Sequence, residues 1–288
     1  MRHGFVKVAA ATPDIRVADV TYNTEKICGL IDETVKEGAK VVAFPELCVT
    51  GYTCGDLFTQ EVLLQEARAA LHKIASHTKG KDALIFVGVP VAVEGKLYNV
   101  AAALNQGKIL GLTTKSFLPN YGEFYEMRQF TEGPSVAREI LFDGEKMPFG
   151  PQLLFVADSM ESLVVSAEIC EDAWSSVPPS IEAAREGAVI IANCSASDET
   201  VGKSTYRRNL IEGQSARLIC GYLYANAGEG ESTTDLVFGG HNLIAENGSV
   251  LKEGRRFENG VIYTEIDIKR LLGERRKNTT FQTAKEPK

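Results

Sequence analysis

Three runs in this sequence each carry a chemically capable side chain to the end of an apolar stretch. Val41-Val42-Ala43-Phe44-Pro45-Glu46 is stopped by proline with a carboxylate at its mouth, a group able to take up and return a proton. Gly111-Leu112-Thr113-Thr114-Lys115 ends on an ammonium, which can stabilise developing negative charge. The run from Leu163 to Cys170 closes on a thiol, a strong nucleophile once ionised. Taken singly, each has a plain structural explanation: a solvated Glu or Lys at a strand end, and a Cys serving as a small buried hydrophobe. The shared placement matters because reactive groups in open α/β sheets sit just beyond strand ends, where loops hold them on a rigid scaffold.

The elements that must position these groups follow from periodicity. Short apolar, β-branched runs at 6–11, 41–44, 84–89, 100–104, 163–169, 188–192 and 222–226 read as buried strands bounded by Gly, Pro, Asn or charge. Between them, Ile27, Ile31 and Val35 recur at helical spacing over 23–37, and Leu63, Ala67, Leu71 and Ile74 form one stripe over 60–78. Two more helices are expected near 179–186 and 204–220. Residues 235–245, 249–253 and 261–266 read as strands, with Asn247-Gly248 the strongest hairpin signal. Such alternation predicts an α/β layered domain with helices covering sheet faces. That domain is expected to occupy 1–268. Residues 269–288 read as a charged tail or the start of a linker, in which Arg275-Arg276-Lys277 is a solvated face.

Composition narrows the function. The 288 residues are 44% hydrophobic and 24% charged, as in an ordinary globular protein. A net charge of −7 argues against nucleic-acid partners, which need a basic face, and against an anionic membrane surface. The longest apolar stretch, 83–93, contains Gly and Pro and is too short to span a bilayer. The cysteines at 28, 48, 54, 170, 194 and 220 show no echoing short-spaced pairs, and His3, His72, His77 and His241 are scattered. No metal site is expected, and reduced thiols suggest the cytoplasm.

Read together, the strings F-P-E, then K with L-P-N-Y-G-E-F, then I-C-E-D resemble the nitrilase (carbon–nitrogen hydrolase) superfamily, whose members share a Glu-Lys-Cys triad in that chain order. The resemblance runs from about residue 5 to 268 and implies a four-layer α-β-β-α sandwich. The longer strings at 44–52, 118–130, 169–174 and 193–197 look like the glutaminase part of glutamine-dependent NAD+ synthetases. On that resemblance Cys170 is the nucleophile that forms a thioester. Glu46 is the base that takes the thiol proton, passes it to the departing ammonia and then activates water. Lys115, with the backbone N–H of Glu171, stabilises the oxyanion. Glu123 occupies the place of a second carboxylate, either orienting Lys115 or the substrate amide, or simply capping the surface. Of Glu171 and Asp172, one points into the sheet packing, and Glu171 joins the substrate-binding set. Tyr121, Ser197 and Lys203 match positions that bind L-glutamine: Lys203 suits its carboxylate, Ser197 a hydrogen bond, and Tyr121 a pocket wall with a hydroxyl. Tyr52 and Trp174 are either further walls or core packing.

The synthetase part that adenylates a dinucleotide precursor and consumes the ammonia carries S-G-G-x-D-S in that family. This sequence has neither that string nor a P-loop, so ATP and magnesium would belong to a separate synthetase domain and this chain needs no cofactor. The resemblance therefore implies a glutaminase domain or subunit that supplies ammonia to a synthetase partner, within a homo-oligomer. Two rival readings keep the fold: a stand-alone amidase for another ω-amide or carbamoyl substrate, and a non-catalytic interaction module.

Overall fold

The computed structural model describes residues 3–281. Fourteen strands form two sheets among these residues. They are β1 (Phe5–Thr12), β2 (Val41–Ala43), β3 (Leu84–Val93), β4 (Lys96–Asn105), β5 (Lys108–Thr114), β6 (Arg138–Phe142), β7 (Glu145–Gly150), β8 (Phe155–Ala157), β9 (Met160–Ile169), β10 (Ile190–Ser195), β11 (Gly221–Asn226), β12 (Leu243–Glu246), β13 (Ser249–Glu253) and β14 (Gly260–Asp267). The helices are α1 (Val20–Lys36), α2 (Glu61–His77), α3 (Pro179–Arg185), α4 (Lys203–Leu218) and α5 (Ile268–Lys277). The first sheet runs β14-β1-β2-β3-β4-β5-β7-β6 and the second β13-β12-β11-β10-β9-β8. Parallel pairing joins β1, β2 and β3 in one sheet and β9, β10 and β11 in the other.

The period-2 alternation of side chains builds the layers. In β2, Val42 faces α1 and α2, packing with Ile27, Ile31, Leu71 and Ile74, whereas Val41 and Ala43 face the second sheet. Between the sheets, Val8, Ala10 and Phe86 meet Val165, Ala192 and Leu223. Behind the second sheet, Ile191, Tyr222 and Tyr224 pack with Ala183, Ile211 and Leu218 of α3 and α4. The result is the expected α-β-β-α sandwich. Asn247 and Gly248 both adopt positive φ, +44° and +82°, in the two-residue turn between β12 and β13.

Three expectations need correction. Residues 235–242 are not a strand apart from one bridge, Asp198 with Phe238. Gly239 and Gly240 break the run there, and Leu236 and Phe238 pack instead against Phe124 and Tyr52. Strands β6 to β8 were not foreseen, because charged residues interrupt β6 and β7 and β8 is only three residues long, so no sustained apolar run marks them. Finally, the fold does not stop at 268. Helix α5, N-capped by Asp267, buries Ile268 and Leu271 completely. Arg275 donates to the carbonyls of Ala188 (2.7 Å), Leu218 (2.9 Å) and Ile219 (3.1 Å), satisfying chain ends around α3 and α4. Only Arg276 and Lys277 of the basic run are exposed, and the expected tail at 282–288 lies outside the described residues.

Candidate active site

Glu46 leaves the first sheet after β2 on a turn that crosses directly over β3. Gly88 permits the crossing: a Cβ there would lie 2.3 Å from Pro45 O and Leu47 N. The carboxylate is fully buried. Its Oε1 accepts from Lys115 Nζ (2.6 Å) and Asn99 Nδ2 (2.6 Å), and its Oε2 from the backbone N–H of Ala196 (2.9 Å) beyond β10. Its own N–H donates to Ser195 O (3.3 Å), so both ends of the residue are fastened to the second sheet. Burial pushes the Glu46 carboxyl up to about 7, with the Lys115 charge pulling the other way.

Lys115 follows β5 and is buried to the same depth. Its ammonium sits between Glu46 and a second carboxylate, Glu126 Oε1, at 2.5 Å. Burial works to depress its pKa, but the charges of Glu126 and Glu46 outweigh burial and hold the ammonium well above the ordinary lysine value. The second carboxylate is therefore Glu126, not Glu123. Bonds from Phe124 N to Tyr121 O and from Glu126 N to Pro119 O wind this loop so that Phe124 and Glu126 turn inward, leaving Glu123 half-exposed. The sequence carried a signal for this: Glu126 lies between Phe124 and Phe130 at alternating spacing, and both of those rings are buried. Tyr52 Oη donates to the same Glu126 oxygen (2.8 Å), whereas Glu126 Oε2 is buried without a protein partner.

Cys170 ends β9 with φ +43°, a left-handed conformation rare for a residue with a side chain, and opens the short 3₁₀ turn Cys170–Trp174. Its N–H donates to Asn193 Oδ1 (3.2 Å). Asp172, fully buried, accepts the N–H groups of Ile169, Ser116 and Phe117, each at 2.9 Å. That carboxylate thus ties the cysteine turn to the chain leaving Lys115, and Asp172 is the member of the acidic pair that points inward. Burial pushes the Cys170 thiol well up, the Glu46 charge pushes it further, and the Lys115 charge opposes both. Burial and the Glu46 charge thus both favour the thiol over the thiolate.

Of the expected substrate residues, Tyr121 and Lys203 flank the Phe124 ring, whereas Ser197 is buried against Asn226 and Arg207. Tyr121 Oη donates to Glu171 Oε1 (2.7 Å) at the exposed rim. Lys203 Nζ lies 5.3 Å from the Phe124 ring centre and 5.6 Å from that of Trp174, which stacks on Tyr206. The Lys203 ammonium is not free, because it is paired with the buried Asp198. Ser197 is buried, donating its N–H to Asn226 Oδ1 (2.8 Å) and accepting Arg207 Nη2 at its hydroxyl (3.2 Å). Asn99, Asp198 and Arg207 carry no strand-end signature and were missed by the sequence reading. Tyr52, Glu123, Phe124 and Glu126 line a cleft of about 420 Å³ that reaches the site from the Glu126 side.

Residues 7–275 match the carbon–nitrogen hydrolase family. The chain belongs to that family. A glutamine-dependent NAD(+) synthetase from Mycobacterium tuberculosis is 39% identical over 282 residues, which is 97% of this chain and 42% of that protein. The crystal structure of a glutamine-dependent NAD(+) synthetase from Cytophaga hutchinsonii superposes with a TM-score of 0.81 at 30% identity, covering 91% of this chain and 43% of that one. This carbon–nitrogen hydrolase thus spans less than half the length of those relatives. A nitrilase-superfamily amidase from Nesterenkonia matches at TM-score 0.72 and 20% identity over 96% of both chains, a likeness that shows the shared four-layer fold.

Proposed function

We propose that this carbon–nitrogen hydrolase is a glutamine amidohydrolase that releases ammonia for a synthetase partner. The observation that carries the reading is the buried Glu46–Lys115–Glu126 cluster, whose charges act on the Cys170 thiol where both sheets meet. Cys170 Sγ attacks the amide carbon while its proton passes to Glu46. The oxyanion forms against Lys115 Nζ and the backbone N–H of Glu171. Glu46 returns the proton to the departing nitrogen, the C–N bond breaks, and a thioester remains. Water then attacks with Glu46 again as base, restoring the thiol and freeing glutamate. Glutamine as substrate is supported by the glutamine dependence of the relatives named above, and by Tyr121 with Glu171 and Lys203 flanking the Phe124 ring. ATP and magnesium belong to the partner that consumes the ammonia.

Ammonia release measured with L-glutamine and a panel of aliphatic ω-amides tests the reading. Glutamine should turn over, and Cys170→Ala should be inactive. Inert glutamine beside a hydrolysed aliphatic amide would favour a stand-alone amidase, which the engagement of Lys203 by Asp198 also allows.

A further inference from the structure

Behind the cysteine turn runs a buried polar chain that the mechanism above does not use. Asn193 of β10 accepts the Cys170 N–H at Oδ1 (3.2 Å) and donates from Nδ2 to Tyr222 Oη of β11 (3.1 Å). Tyr222 Oη in turn donates to Glu168 Oε1 of β9, and Glu168 Oε2 accepts the N–H of Ser180 in α3 (2.9 Å). Asn193, Tyr222 and Glu168 are all essentially inaccessible to solvent. They cross three adjacent parallel strands, with Asn193 in register beside Glu168. Every donor points the same way, from the Cys170 amide towards the Glu168 carboxylate. The Asn193 amide has only one orientation that satisfies both neighbours.

Among the described residues no cation is bonded to Glu168, so the carboxylate sits in the packing between the second sheet and α3 with only neutral donors, from Tyr222, Ser180 and Asn193, to satisfy it. An apolar trio would fill the same volume without that desolvation cost. What the chain accomplishes is to hold the amide of a residue at φ +43°, a conformation costing about 1–3 kcal/mol that persists only when its surroundings impose it. It also withdraws the Cys170 N–H from the reacting side, leaving the Glu171 N–H for the oxyanion.

We infer that Asn193, Tyr222 and Glu168 are positioning residues that aim Cys170 Sγ by clamping its backbone from behind the sheet. The inference deepens the proposed function and rests on Cys170 being its nucleophile. The test compares Tyr222→Phe, Asn193→Ala, the double variant and Cys170→Ala. It follows kcat and KM for L-glutamine, the rate at which iodoacetamide labels Cys170, and the folded fraction by circular dichroism. Tyr222→Phe and Asn193→Ala should each lower kcat about 10- to 100-fold with KM nearly unchanged, the size of effect expected when a reacting atom is misplaced by about 1 Å. Labelling of Cys170 should slow in parallel, which needs no assumption about the substrate. The double variant should be no worse than Asn193→Ala alone, since both changes cut one chain. Should Asn193→Ala not fold, Tyr222→Phe, which removes a single oxygen, carries the test. Folded Tyr222→Phe with wild-type kcat and labelling, beside an inactive Cys170→Ala, overturns this inference alone. Hydrolysis that survives Cys170→Ala overturns the nucleophile and this inference with it.

Discussion

Two carboxylates bear on one ammonium in a space closed to solvent, and this arrangement decides how Glu46 can behave. Burial first, and then the neighbouring Glu126, outweigh the Lys115 charge, so Glu46 holds its proton to a higher pH than a surface carboxylate would. A base acts only when ionised, so activity should be lost as pH falls through about 7 and gained as it rises through that value. A pH profile of kcat/KM whose acid limb falls near the ordinary carboxylate value would show that another group is the base. The two loop glutamates should also separate cleanly. Glu126→Gln removes a charge in contact with Lys115 and should lower kcat by about 100-fold or more, whereas Glu123→Ala should stay within a few-fold of wild type in the same ammonia assay. At this scale the sequence was informative where a residue ends an apolar run, as Glu46, Lys115 and Cys170 do. It was faint where a loop does the aiming. The winding from Pro119 to Glu126 rests on two backbone hydrogen bonds, and the place of Glu126 between Phe124 and Phe130 is its one trace in the sequence.

Elements place these groups through close approaches. Strand β3 passes beneath the Glu46 turn with no room for a side chain at Gly88. Gly88→Ala should therefore cost about 1–3 kcal/mol of stability or more, read from the denaturant midpoint, because backbone atoms rather than a yielding side chain must move. It should also depress kcat beyond the loss of folded protein, as the turn that moves carries Glu46. Strand and helix positions were largely legible, because buried parallel strands are continuous β-branched runs and α1 and α2 each carry one apolar stripe. Strands β6 to β8 are short and lie towards the sheet edges, and the apolar residues at 235–242 pack as loop around the site, so in both places the pattern and the structure part.

At the scale of the molecule, the layered class followed from the alternation of strand and helix, but its true extent did not. Helix α5 is charged along most of its length, and Ile268, Leu271 and Leu272 are a faint signal beside that charge. Ile268 and Leu271 are nevertheless completely buried, and Arg275 reaches carbonyls at the ends of α3, α4 and the chain beyond each. Leu271→Ala should destabilise the protein by about 2–5 kcal/mol in urea unfolding, a loss typical of a core leucine rather than a tail.

The attachment of Glu46 has one more consequence. The residue is rooted in one sheet, while its amide and one carboxylate oxygen are pinned to Ser195 and Ala196 of the other. The gap between the sheets is filled in large part by alanines, among them Ala10, Ala43, Ala101, Ala167, Ala192 and Ala225. Short methyl groups thus work as shims that fix the interlayer distance, and the Glu46 carboxylate is the gauge that reads it. On the proposed mechanism catalytic competence is a property of the seam, and a methylene added many residues from the thiol would register there first.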